Sequence, residues 1–333
     1  MFKVIQAQIR STGRYLPKKV ISSEDLEVRL GLEVGYIAAR NGVQSRHVAD
    51  PASGETTVQM GVWAAQDALE RAQVSADELD LILFASAGPE QAIPDTAPLI
   101  QAALGLGQSG ISCFSVHSTC LSFLSALDVA SCFIACERYR NILIVCCELS
   151  SLGMNPADPK TFTLFGDGAA AALITPTPQG EQSAILRSHI STFGDAARFT
   201  EVKGCGTAKH PNLPHTCFED NTFHMDGREV LKVSLREAPT VLEKIWPGLS
   251  KSCSDFDWIV PHQPSLIGMR ALSRFFEPSK TIETLSNYGN CVSVSLPLSL
   301  DEGLRSGQLQ RGQQILLFGT GAGLSMAGIS LIL

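Results

Sequence analysis

The feature that most constrains this chain is the alternation of short, almost unbroken apolar runs with stretches of helical length. Apolar runs at 81–85, 142–147, 169–174, 258–260 and 315–318 separate segments such as 58–72 and 227–245. Leu79-Asp-Leu-Ile-Leu-Phe-Ala and Asn141-Ile-Leu-Ile-Val-Cys-Cys are apolar on successive residues, as strands covered on both faces must be. Strands alternating with helices predict an α/β architecture with buried parallel strands. The two halves also echo each other. In each, a strand ends at a polar or reactive residue, a helix follows, and a glycine-rich turn leads to a last apolar strand. Gly166-Asp-Gly-Ala-Ala-Ala-Ala-Leu closes the first half and Gly321-Ala-Gly-Leu-Ser-Met-Ala-Gly the second. Thr175-Pro-Thr-Pro-Gln-Gly reads as the turn between them, predicting halves of 1–178 and 179–333.

At 333 residues, with 44% hydrophobic and 18% charged residues, the chain can bury a large core, which excludes disorder as its main state. Lys and Arg number 26 against 33 Asp and Glu, a net charge of −7, and no basic run reaches five. Nucleic acid therefore meets no sequence-wide basic field, although a local basic patch can serve a small acidic partner. No apolar stretch approaches the ~18 residues that span a bilayer. The opening Met1-Phe2-Lys3-Val4-Ile5-Gln6 lacks the pattern of an export signal, and ten cysteines then predict free thiols in a reducing, cytosolic setting.

Cys120 lies where the run beginning Phe114-Ser-Val-His-Ser-Thr meets a helix whose apolar face includes Leu121, Leu124 and Leu127. A thiol at a helix N-terminus feels unpaired N–H groups and the positive end of the macrodipole, which favour the thiolate. The competing reading is a small core residue. His262, in Trp258-Ile-Val-Pro-His-Gln-Pro-Ser, follows a strand at its C-terminal edge, where open α/β sheets place their sites. His117 is its local competitor, and both can be ordinary structural histidines. Asn290, in Ser286-Asn-Tyr-Gly-Asn-Cys-Val-Ser-Val-Ser-Leu-Pro, fits a turn, with Cys291 beside it as packing.

Gly319-Thr-Gly-Ala-Gly resembles a dinucleotide loop, but only ten residues follow Gly323. No helix and ribose-binding acid can be fitted there; the glycines suit the approach of a backbone N–H to a reacting group. Cys205, His210, His215 and Cys217 have irregular spacing and no paired CxxC, which favours a loop with turn residues Pro211 and Pro214 over a zinc site.

The order Cys120, His262, Asn290 also occurs in papain-like proteases, whose local sequence around the cysteine is absent here. The wider motifs resemble the β-ketoacyl-carrier-protein synthase III family of thiolase-fold condensing enzymes. They are Thr12-Gly-Arg-Tyr-Leu-Pro-Lys-Lys-Val, Arg40-Asn-Gly-Val-Gln-Ser-Arg-His-Val, Phe165-Gly-Asp-Gly-Ala-Ala-Ala-Ala, Met225-Asp-Gly-Arg-Glu-Val-Leu-Lys, Tyr288-Gly-Asn-Cys-Val-Ser-Val-Ser-Leu-Pro and Gly321-Ala-Gly-Leu-Ser, in the family's order across nearly the whole chain. The resemblance implies a thiolase fold of two pseudo-repeated βαβαβαββ halves in five α-β-α-β-α layers, and a homodimer.

It also implies a chemistry. Cys120 attacks an acyl thioester and holds the acyl group covalently. A malonyl-type or β-ketoacyl thioester is the second substrate, and decarboxylation of the malonyl type leaves an enolate. His262 and Asn290 donate hydrogen bonds to that thioester oxygen, while the N–H groups of Cys120 and Gly323 receive the acyl oxyanion. No metal or organic cofactor is needed. Substrate-binding roles fall to Tyr36, Arg40, Ile93, Met225 and Ser265, and carrier-protein docking to Lys232, Arg270 and Arg274.

Several positions depart from the family pattern. Tyr36 stands where a tryptophan commonly stacks the coenzyme A adenine, and of its later basic partner only Lys160 is left. Gln263-Pro264-Ser265 replaces Gln-Ala-Asn, Ile267 replaces an arginine, and Ser118-Thr119 replace alanines. Ile93 stands where a bulkier gate limits the acyl pocket across the dimer interface. These departures predict a specialised relative that loads a longer or unusual acyl group, from coenzyme A or acyl carrier protein, in polyketide, specialised fatty-acid or other secondary metabolism. An alternative keeps the acyl-enzyme and passes the acyl group to an alcohol or amine without decarboxylation. A non-catalytic subunit is disfavoured by the intact Cys120.

Overall fold

The structure, a computed structural model, describes residues 3–333; Met1 and Phe2 of the opening segment lie outside them. Two mixed sheets repeat one strand plan. The first runs, in spatial order, Ala7–Tyr15, Gly168–Pro176, Ile142–Glu148, Leu81–Phe84 and Ser112–Ser115. Its neighbours are antiparallel, antiparallel, parallel and parallel. The second runs Ala184–Thr192, Ser325–Ile332, Gln314–Gly321 and Trp258–Pro261, again antiparallel, antiparallel, parallel. Where the first sheet has a fifth strand, the second has a single parallel bridge between Ile259 and Thr281.

The buried parallel strands expected from the alternation are present at Leu81–Phe84, Ile142–Glu148, Trp258–Pro261 and Gln314–Gly321, but each sheet also carries two antiparallel pairings that the alternation did not predict. The reason is connection length. Gln314–Gly321 and Ser325–Ile332 are joined by three residues, and so short a turn can only reverse the chain, whereas a parallel neighbour needs a crossover of a dozen residues or more.

The apolar runs are continuous because each strand is covered twice. Leu83, Ile144 and Ala172 of the first sheet share one core with Ile315, Leu317 and Ile329 of the second. Helices Ser122–Ala135 and Ser295–Arg305 fill the space between them, contributing Leu124, Leu127 and Leu298. The alternate residues Ile82, Leu143 and Val145 turn outward under helix Thr57–Ala72. Leu316, Phe318 and Met326 do the same under Gly227–Ile245. Period-two alternation is thus intact, but both faces are apolar. The result is five layers, helix–sheet–helix–sheet–helix. Among the described residues no helix is long and apolar enough to cross a membrane.

Candidate active site

Cys120 sits in the short turn Thr119–Leu121, between the edge strand Ser112–Ser115 and the central helix Ser122–Ala135. The turn is held by hydroxyls. Ser118 N–H donates to Ser122 Oγ at 2.9 Å, and Ser122 Oγ donates to the Thr119 carbonyl at 2.7 Å. Ser125 Oγ donates to Ser118 Oγ at 2.9 Å. Cys120 keeps partial exposure. The helix-terminus argument predicted a favoured thiolate, and the structure differs. Burial and the nearby Glu148 carboxylate push the thiol up to about 12, against the pull of the Ala322 and Cys120 backbone N–H groups. In the resting protein the nucleophile is therefore a thiol.

His262 follows strand Trp258–Pro261, and its N–H donates to the Phe318 carbonyl at 2.8 Å. Only 3% exposed, it has its Nδ1 buried without a protein partner. Burial alone lowers its pKa to about 4, so the imidazole is neutral at physiological pH and keeps one donor and one acceptor nitrogen. Gly319 separates this ring from the nucleophile turn. A Cβ there would lie 3.1 Å from His262 Cβ and 2.9 Å from Leu121 Cδ2. The residue after Cys120 and His262 are thus within one side chain of each other, an approach only glycine permits.

Asn290 is fixed by close backbone packing. Its N–H donates to the Leu164 carbonyl at 3.0 Å, and its carbonyl accepts from Gly166 N–H at 3.2 Å. A Cβ at Gly166 would meet the Tyr288 carbonyl at 2.1 Å, and one at Gly289 the Leu164 carbonyl at 2.6 Å. That contact explains the glycines in Phe165-Gly-Asp-Gly and Tyr288-Gly-Asn. Asn290 Oδ1 accepts from Val292 N–H at 2.8 Å, and Nδ2 donates to the Pro264 carbonyl at 3.1 Å, leaving one amide hydrogen for a ligand. The Pro264 contact ties Asn290 to the His262 loop. The turn Val292–Val294 that follows packs on the Cys120 turn, so the three candidates converge on one place from three elements.

Three residues of the site were not singled out from the sequence. Ala322 presents an N–H that faces the Cys120 thiol; Gly323, expected to receive the acyl oxyanion, takes the positive φ of 82° that turns the strand back. Gln263 is fully buried and staples the His262 loop. Its Nε2 donates to the Pro261 and Ile282 carbonyls at 3.0 and 3.1 Å, and its Oε1 accepts from Thr284 and Leu285 N–H at 3.2 Å each. Glu148 closes strand Ile142–Glu148 and accepts from Ala87 N–H at 2.6 Å and from Ser293 Oγ. Burial raises its carboxyl to about 7 in spite of these donors. An acid ending an apolar run was the available signal.

The other expected residues distribute as follows. Tyr36, Arg40 and Arg270 line one cavity of about 550 Å³ together with Ile267 and Glu33, with the Arg40 guanidinium 6.0 Å from the Tyr36 ring centre. Ser265 uses its Oγ to cap helix Leu266–Leu272, accepting from Gly268 N–H at 3.2 Å. Met225 and Lys232 are exposed, and Lys232 pairs with Glu229 at 3.2 Å. Arg274 is exposed, Ile93 is 87% exposed, and His117 is exposed. A more open cavity of about 770 Å³, lined by Asp67, Glu70, Arg71, Gln73, Leu304 and Arg305, contains none of the candidates. Cys205 and Cys217 contact Asn221 and Asp220. Among the described residues no group of three His, Cys, Asp or Glu could hold a metal ion.

Residues 114–197 match the family of 3-oxoacyl-[acyl-carrier-protein (ACP)] synthase III, and residues 250–332 match its C-terminal family. A beta-ketoacyl-[acyl-carrier-protein] synthase III of Pasteurella multocida is 33% identical over 322 residues, 96% of this chain and 97% of the relative. The chain belongs to the 3-oxoacyl-[acyl-carrier-protein] synthase III family. The synthase of Chlamydia caviae is 32% identical over 332 residues, 99% of this chain and 97% of its own. The crystal structure of the Aquifex aeolicus synthase III superposes with a TM-score of 0.87 at 30% identity, covering 98% of this chain and all of that one. The priming β-ketosynthase of the R1128 polyketide pathway also superposes at 0.87, with 26% identity over 100% and 98% of the two chains. The five layers are the thiolase fold of these synthases, and the chain is a condensing enzyme of the ketosynthase type.

Proposed function

We propose that the protein catalyses a decarboxylative Claisen condensation between an acyl group held on Cys120 and a malonyl-type thioester. The observation that carries this reading is the pairing of a neutral, buried His262 with an Asn290 that has a spare amide hydrogen, next to the turn that carries Cys120. Cys120 Sγ attacks the acyl thioester carbonyl, and the donor's thiol leaves with the proton. Loss of carbon dioxide from the second thioester puts the bonding electrons into an enolate, whose oxygen His262 and Asn290 stabilise as donors. The enolate carbon bonds to the acyl carbonyl carbon, the bond to Cys120 breaks, and the departing thiolate takes a proton from water. The Ala322 N–H, with that of Cys120, receives the acyl oxyanion in both halves. An amide suits this place because it donates without supplying an acidic proton to the carbanion.

The cavity at Tyr36, Arg40 and Arg270 suits the nucleotide and phosphate end of a coenzyme A donor. Exposed Lys232, Arg270 and Arg274 suit an acidic carrier protein. We read the two echoing halves as 1–178 and 179–333, and place the chain in a reducing, cytosolic compartment on its ten free thiols. The open edge at Ser112–Ser115, with exposed Phe114 on it and exposed Ile93 two residues before Asp95, whose carboxylate accepts from Ser115 Oγ at 2.5 Å, suits a homodimer in which the partner covers that edge. The departures at Tyr36, Ile267 and Ile93 favour a specialised acyl donor, in polyketide or other secondary metabolism, over a housekeeping initiator restricted to acetyl-coenzyme A.

Intact-mass measurement after incubation with a panel of acyl thioesters tests the first half-reaction. A mass gain absent in Cys120→Ala, followed by carbon dioxide release on adding malonyl thioester, is expected. Acylation without carbon dioxide release, with transfer to an alcohol or amine, would overturn condensation. Acylation by acetyl-coenzyme A alone would overturn the specialised donor.

A further inference from the structure

Two β-branched residues of the site have a left-handed backbone, Val292 at φ 50° and Thr119; Thr119 is the one that joins the nucleophile turn to the 321–324 turn. Its φ of 52° lies in the left-handed region, which a β-branched residue occupies only when its surroundings impose it. Thr119 Oγ1 donates to the Ala322 carbonyl at 3.3 Å, across 203 positions of sequence. The Thr119 carbonyl meanwhile accepts from Ser122 Oγ at 2.7 Å. Opposite the hydroxyl stands Gly321, where a Cβ would come within 3.0 Å of both Thr119 Oγ1 and Leu121 Cγ. Glycine at that position is what lets the hydroxyl reach the carbonyl. The same Ala322 carries the N–H that faces Cys120.

We propose that Thr119 is a positioning residue whose hydroxyl latches the 321–324 turn to the nucleophile turn, aiming the Ala322 N–H at the acyl oxygen of a thioester on Cys120. This inference rests on the acyl-enzyme reading above. The latch is needed because the turn is otherwise short of constraints. Gly321 pairs with Ser325, and the Leu324 carbonyl accepts from Phe193 N–H at 2.9 Å. Between these anchors lie Ala322 and Gly323, the latter at a positive φ of 82°. The Ala322 N–H belongs to the 321–322 peptide and the latched carbonyl to the next one, and the two are hinged at the Ala322 Cα; fixing the carbonyl therefore limits the swing of the N–H, and an N–H that swings no longer stabilises an oxyanion.

The test compares two reactions of the same thiol. Acylation by an acyl-coenzyme A passes through a tetrahedral oxyanion, while alkylation by iodoacetamide displaces iodide at a saturated carbon and develops no such charge. Thr119→Val keeps the branching, and so the backbone strain, but removes the donor; Thr119→Ser keeps the donor. In Thr119→Val the acylation rate is expected to fall about 10- to 100-fold, the range for a misaligned rather than deleted oxyanion donor. KM and the alkylation rate should stay within about twofold, and Thr119→Ser should recover most of the acylation rate. Acylation of Thr119→Val at the wild-type rate would overturn the latch. So would a parallel fall of acylation and alkylation, or a Ser variant no better than Val. If Thr119→Val does not fold, Thr119→Ala is read in the same way. A wild-type protein that no thioester acylates would instead overturn the acyl-enzyme reading, and the latch with it.

Discussion

Ser293 donates its hydroxyl hydrogen to Glu148 Oε1, joining the turn that follows Asn290 to the end of a strand 145 positions earlier. The same carboxylate accepts from Ala87 N–H at 2.6 Å. One buried acid therefore holds the first sheet, the loop after strand Leu81–Phe84 and the Asn290 turn in register beneath Cys120.

That acid makes stability pH-dependent. Its carboxyl is raised from an ordinary value of 4.5 to about 7 in the folded protein. Between those values the folded state keeps a proton that the unfolded state has released, so this contribution is full below pH 4.5 and is lost as pH rises through 7. Linkage makes the loss about 3 kcal/mol at most. Urea unfolding of wild type and Glu148→Gln from pH 4.5 to 8 checks it. The difference, wild type minus variant, should fall across the window and flatten above pH 7; a constant difference would show that Glu148 does not titrate there.

The Cys120 thiol, pushed up to about 12, should react with iodoacetamide at a rate that rises about tenfold per pH unit through pH 9, because the thiolate fraction sets the rate. A plateau below pH 8 would show that the backbone N–H groups win over burial and Glu148.

Asn290→Asp reverses a contact as well as removing a donor. A carboxylate cannot donate to the Pro264 carbonyl, now 3.1 Å from Nδ2, nor to an enolate oxygen. Carbon dioxide release from a malonyl thioester should drop by about 10²–10³-fold, the usual cost of one such donor. Acylation of Cys120 should persist, since no part of that step uses the amide. Equal loss of both activities would mean that the turn, rather than the donor, has been damaged.

Asp301 is fully buried and faces Arg71 at 2.9 Å, Arg305 at 2.6 Å and Arg14 at 3.4 Å, while Thr12 Oγ1 donates to it at 2.7 Å. Thr12 and Arg14 lie on strand Ala7–Tyr15 and Arg71 on the helix Thr57–Ala72 outside it, whereas Asp301 lies on the central helix Ser295–Arg305. Removing one partner of a buried ion pair leaves charge uncompensated. Because the arginines reach solvent, Asp301→Asn should cost about 3 kcal/mol, the low end of that range, and denaturant unfolding measures it. An unchanged midpoint would show that the arginines relax into water.

Much of this protein was legible in the sequence by itself. Strands covered on both faces must be apolar throughout, so Ile142–Glu148, Leu81–Phe84 and Gln314–Gly321 announced themselves within a residue or three of their ends. Cys120, His262 and Asn290 stood out because each breaks such a run or opens a turn. The order of the strands and their antiparallel sense did not, since period and burial carry no information about a strand's neighbours. Nor did Glu148 or the Ala322 N–H that faces the thiol. Which backbone N–H meets a thiol is a matter of peptide orientation, to which side-chain identity is blind. How far a carboxyl or a thiol is displaced depends on which atoms displace its water. The donors that oppose that loss of water arrive from Ser293 and Ala322, far along the chain, so only the tertiary structure could decide the chemistry that the residue types made possible.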